Sequence, residues 1–283
     1  MISSIKLRRH LGKTTIYIIL IAAILVSVFP FYWVVSTSLK YDREHFVKPP
    51  VYVPTDLTLD HYKYIFQEGT VLRAGDHIKN SFIIAFMNMI LVLLLTVPAA
   101  YAFARYRIGG NKLTFSLLVA RMLPPVVLVI PLFLVYRTLG LKDSYIGLVL
   151  AYTTFNAPLA VWLLISFFED FPTEIQDAAL VDGCTEMQAL LRVVIPLIAP
   201  GIAVVALFCF LTGWNDLIFV LALGGRNTQT LNLLMVNLLN APSSDMYGPA
   251  AAVVTLGIVP PFIVTLFLQR YLVTGLSLGG VKG

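Results

Sequence analysis

Residues 174–184 read Glu174-Ile-Gln-Asp-Ala-Ala-Leu-Val-Asp-Gly-Cys184. The stretch is acidic and helix-forming, and it sits between long apolar runs. Thr173, with Gln176 three residues on, has the form of a capping box, which predicts a helix over Ile175–Val181. Asp182-Gly183 breaks it, because glycine accepts the left-handed conformation that ends helices. Thr185 and Gln188 repeat the capping pattern and predict a second short helix to about Ile195, before Pro196 and Pro200. The first helix carries small residues, Ala178 and Ala179, with Gly183 after it, so another surface can approach its backbone. Ile175, Leu180 and Val181 offer apolar anchors. An amphipathic segment lying on lipid is the alternative, but those usually carry basic polar faces. This segment, 168–197, holds six acids and would be repelled by anionic headgroups. Docking into a groove of a soluble partner fits it better.

The surroundings are those of an integral membrane protein. Of 283 residues 58% are hydrophobic and 12% charged, about half the charged share of soluble domains. Mean hydropathy is +0.85. Six runs are long enough to cross a bilayer, which takes about 20 residues each: 16–36, 80–103, 113–136, 145–167, 198–222 and 250–269. This predicts an all-α, polytopic fold with six transmembrane helices in a single transmembrane domain over 16–283. Each run contains or starts at a proline, from Pro30 to Pro260-Pro261, as in bundles around a pathway.

Lys6, Arg8, Arg9 and Lys13 make 1–15 a basic tail. A signal peptide is the other reading of such a start, but the apolar run that follows is too long for one. Basic flanks favour the cytoplasm. Alternation then places 104–112, 168–197 and the C-terminus on the cytoplasmic side, and loops 37–79 and 223–249 outside. The net charge of +5 suits basic ends against anionic lipid, and no basic face for nucleic acid is visible.

Nothing predicts catalysis. Gly12-Lys13-Thr14 lacks the earlier glycine of a phosphate loop, since Leu7 stands there. His10, His45, His61 and His77 show no metal-ligand spacing, and no cofactor site is evident. Cys184 and Cys209 read as free thiols rather than a redox pair.

Polar residues within the spans are pathway candidates. Tyr152, Thr153, Thr154 and Asn156 cluster in the fourth span, and Trp214, Asn215 and Asp216 in the fifth. Trp214 suits stacking on a sugar and Asp216 suits hydroxyl groups. Interhelical bonding is the structural alternative for these residues. Arg121 in the third span is either a functional charge or one snorkelling to the interface.

Asp177-Ala178-Ala179-Leu-Val-Asp182-Gly183, with Ile195-Pro196 downstream, resembles the "EAA" loop of ABC importer permeases. Asp177 stands where that family usually has Glu, and Cys184 where Ala is common. Lys79-Asn80-Ser81, Trp214-Asn215-Asp216 and the terminus Gln269–Gly283 look like the carbohydrate branch, which includes the maltose permease's second subunit. The resemblance implies a type I importer permease fold with a cytoplasmic coupling helix. Glu174, Asp177, Ala178, Ala179, Asp182 and Gly183 would contact an ATPase. The implied partners are a second homologous permease, two ATP-binding subunits holding ATP-Mg, an extracytoplasmic solute-binding protein and a carbohydrate-like solute. The implied location is a bacterial or archaeal cytoplasmic membrane. A self-contained secondary transporter or channel is the rival function, although no internal repeat is seen. A membrane-embedded enzyme is disfavoured by the missing catalytic set.

Overall fold

A computed structural model describes the backbone of residues 2–67 and 72–279, and side chains except those of 2–12, 111 and 270–279. The side chains of Lys6, Arg8 and Arg9, and most of the terminal run Gln269–Gly283, therefore lie outside the described residues.

Among the described residues every regular element is a helix. In chain order they are α1 (Ile2–Ser38), α2 (Asp42–His45), α3 (Asp60–Phe66), α4 (Ala74–Tyr106), α5 (Gly110–Arg121), α6 (Pro125–Thr138), α7 (Tyr145–Glu169), α8 (Thr173–Val181), α9 (Glu186–Ala189), α10 (Ile195–Leu197), α11 (Ala199–Asn215), α12 (Ile218–Leu223), α13 (Leu231–Leu239) and α14 (Tyr247–Gly279). The tail is thus helical, continuous with the first span. Among the described residues four helices are long and apolar enough to cross a membrane, over Lys13–Ser38, Ala74–Tyr106, Tyr145–Glu169 and Ser244–Gln269. The number is six if two bent pairs each count as one span.

The third expected span, 113–136, is broken by 85° between α5 and α6. Pro124 and Pro125 cause the break. The residue before a proline is pushed to extended backbone, and Pro124, with ψ 135°, obeys as the N-cap of α6. A second bend, of 78°, falls between α10 and α11, at the start of the expected fifth span. Upstream of it, Leu190–Val194 forms a π-helical turn in which Ile195 N donates to Leu190 O. Helix α11 then ends at Asn215, short of the expected 222, and α12 follows. The expected connection 223–249 contains α13 and a 3-10 turn, Ser244–Met246.

The chain divides into two compact units, Met1–Arg73 with Met235–Leu256, and Ala74–Leu234 with Gly257–Gly283. In the first, the segment after α1 folds back on itself. Tyr32 Oη donates to Tyr52 O (2.9 Å), Lys40 Nζ to Val51 O (2.5 Å), and Thr55 Oγ1 to Glu44. In the second unit, α4, α7 and α11 pack together. Small residues let α11 approach α4: a Cβ at Gly213 would stand 3.2 Å from Ala85 Cα. Asn88 Nδ2 donates to Cys209 O (2.9 Å) across the same seam. One apolar cluster, including Val97, Leu164, Val194 and Val205, roots the acidic loop in these helices.

Candidate functional site: the acidic loop and the polar centre of the bundle

Helix α8 forms where expected, but its cap differs. Pro172, not Thr173, is the N-cap and makes no side-chain cap bond. Gln176, the supposed capping partner, instead turns inward: it is buried and its Nε2 donates to Tyr101 Oη (2.5 Å). Gly183 closes the helix at φ +90°. The second capping box is present, with Gln188 N donating to Thr185 Oγ1 (3.3 Å) and Thr185 N to Gln188 Oε1 (3.0 Å).

The loop is fastened to the end of α4 at three points. Beside the Gln176–Tyr101 bond, Arg105 Nη2 pairs with Asp177 Oδ1 at 2.5 Å. Tyr106 Oη donates to Glu186 Oε2 at 2.5 Å. A cavity of about 400 Å³, lined by Tyr101, Arg105, Arg107, Glu169, Phe171 and Gln176, lies between. The opposite face is open. Glu174, Ile175, Ala178, Asp182 and Gly183 are exposed, Ala179 is half-buried, and Val181 is 87% exposed. The loop therefore has an anchored inner face and a free outer one whose apolar tip is flanked by acids. The sequence offered no signal for Tyr101, Arg105 and Tyr106 as anchors, because they lie about 70–80 positions away.

The pathway candidates separate. Tyr152, Thr153 and Asn156 are buried on one face of α7. The Tyr152 hydroxyl faces the Asp216 carboxylate. Thr153 Oγ1 and Asn156 Oδ1 have no hydrogen-bond partner. Thr154 does not join them: it is exposed and donates back to Leu150 O (2.9 Å). Trp214 is committed to the fold, stacking on Phe210 and donating from Nε1 to Gly257 O (3.1 Å). Asn215 is exposed at the end of α11. Asp216 caps α12, its Oδ2 accepting from Phe219 N (3.1 Å) and Val220 N (3.4 Å). Arg121 does not stand free: its guanidinium lies 3.6 Å over the Phe155 ring and donates to Phe155 O (3.4 Å).

A network the sequence reading missed holds 223–230. Asp143 (φ +55°) accepts from Asn227 N, Thr228 N, Thr228 Oγ1 and Asn227 Nδ2. Asn80, of the Lys79-Asn80-Ser81 motif, donates to Asn227 O (3.1 Å) and Gln229 O (2.9 Å), and Ser81 Oγ accepts from Leu231 N (2.8 Å).

Residues 93–278 match the family described as binding-protein-dependent transport system inner membrane component. The chain belongs to this family. It is 35% identical to the sulfoquinovosyl glycerol transport system permease protein SmoH of Agrobacterium fabrum, over 96% of this chain and 95% of that protein. It is also 35% identical to the trehalose transport system permease protein SugB of Mycobacterium tuberculosis, over 91% and 93%. Its fold is shared with a bacterial ABC transporter involved in import of the acidic polysaccharide alginate (TM-score 0.75, 23% identity, covering 93% of this chain and 96% of that one). The chain is accordingly an inner-membrane permease subunit of a binding-protein-dependent importer. It is not an enzyme; ATP hydrolysis belongs to partner ATPases. Family membership displaces the self-contained secondary transporter or channel.

Proposed function

We propose that this permease moves a neutral, carbohydrate-like solute and that α8 is the coupling helix through which an ATPase drives it. The observation that carries this reading is the two-faced loop. Its outer face presents Val181 and Ile175 between Glu174 and Asp182, suited to a groove with an apolar floor and a basic rim. Its inner face is tied to α4 by Gln176, Asp177 and Glu186, so displacement of α8 is passed to a spanning helix. Asp177 thus acts through Arg105 rather than on the ATPase, while Glu174, Ala178, Asp182 and Gly183 face the partner and Ala179 sits at the edge.

The assembly would hold a second, homologous permease and two ATPases carrying ATP-Mg, with N- and C-termini in the cytoplasm. The carbohydrate class rests on relatives such as the trehalose permease. It rests also on the unpartnered Thr153 and Asn156, neutral groups suited to hydroxyls.

The test is Val181→Asp in the assembled importer in proteoliposomes. A charge at an 87% exposed tip leaves the permease fold intact but must be desolvated in the groove. Uptake is expected to fall at least tenfold, roughly 1.4 kcal/mol of lost docking or more, with less ATPase co-purifying. Unchanged uptake would overturn the assignment of α8.

A further inference from the structure

The sequence predicted no metal ligands, yet folding brings Asp42, His45 and His61 together, with one ligand atom of each within 4.8 Å of the others. We propose that these three residues form a binding site for a divalent transition cation of the zinc class. The site goes beyond the transport role and does not depend on the assignment of α8.

The geometry suits a metal. Asp42 Oδ1 lies 3.6 Å from His45 Nδ1 and 3.7 Å from His61 Nε2. With metal–ligand bonds near 2.0–2.1 Å, neighbouring ligands of a tetrahedral ion stand about 3.4 Å apart. Two imidazoles and a carboxylate are a donor set that zinc accepts.

The two rings are held in different ways. His45 has a fully buried side chain. Its Nε2 donates to Thr37 O (3.1 Å), which leaves Nδ1 with its lone pair and no hydrogen-bond partner. Ligating histidines typically donate their second nitrogen to a carbonyl in this way. His61 is buried against the first turn of α14, where a Cβ at Gly248 would stand 2.3 Å from its ring. Its Nε2 contacts Lys40 O (2.8 Å). Cation binding requires the His61 proton to move to Nδ1, and it makes Lys40 O available as a fourth ligand. The Lys40 ammonium points away, onto Val51 O and the face of Trp33. A cavity of about 380 Å³ beside Asp42 and His61, lined also by Tyr41, Asp60, Tyr64 and Asp245, gives ions and water access. A bound ion would pin α2 to α3.

The test uses the purified full-length chain, stripped with chelator, then titrated with Zn²⁺ by calorimetry and with Co²⁺ by visible absorption. One Zn²⁺ per chain is expected, displacing Co²⁺ with a nitrogen-ligand spectrum. His45→Gln and Asp42→Asn should each weaken binding about 100-fold or more, since even loss of a supporting partner costs about 10–100-fold. His10→Gln should leave it unchanged. If His45→Gln fails to fold, Asp42→Asn decides alone, because that carboxylate is half exposed and not part of the core. No stoichiometric Zn²⁺ binding, or binding that Asp42→Asn leaves intact, overturns the proposal.

Discussion

At the scale of single residues, commitments made inside the fold explain much of the chain. Asp143 stands in a left-handed conformation that Asp tolerates better than most residues, and its carboxylate collects two backbone and two side-chain donors. A Cβ at Gly225 would stand 2.5 Å from its Cγ, so the glycine there is required. Asp143→Ala is expected to cost about 2 kcal/mol, because the stranded donors lose a charged acceptor; thermal unfolding in detergent measures it. The same commitments limited what the sequence revealed. Trp214 and Asp216 have the chemistry of a sugar site, but Gly257 O and the amides of α12 claim them. Their partners lie on elements whose placement no local pattern announces. The Asp42–His45–His61 cluster was hidden likewise, since His61 joins it only when the chain turns back.

At the scale of elements, the long apolar helices and the helix–glycine–helix insert were legible, because length, proline and capping patterns are local signals. The proline pair at 124–125 was visible too, but an 85° bend was not, since many spanning helices absorb a proline. Helix α13 was passed over within the connection 223–249: only packing shows the use of Leu231, Leu234 and Leu238, which are buried. The α4–α11 seam shows how little slack these contacts have. A side chain at Gly213 meets Ala85 backbone, which cannot yield as a flexible side chain would. Gly213→Leu should destabilise the protein by about 1–3 kcal/mol and lower its thermal midpoint; an unchanged midpoint would show that the helices can part cheaply.

At the scale of the molecule, the family settles the role while the direction of the chain across the membrane invites its own experiment. Cys184, half-buried in the turn after α8, is a native reporter, and Cys209 is buried. With the acidic loop in the cytoplasm, a membrane-impermeant thiol reagent should label Cys184 in inverted vesicles and spare it in intact cells. Labelling from outside would reverse the topology. Residues 13–32 of the first apolar stretch are exposed throughout, and burial begins only near its end, at Ser36–Ser38. Lipid or the proposed second permease must therefore cover them.

The wet tip at Val181 also bears on upkeep. A subunit synthesised in excess of its motor would display that greasy knob to the cell's quality-control machinery, much as an unfolded loop does. Orphan copies should then be cleared fastest, so that the abundance of the ATPase sets the lifetime of the permease.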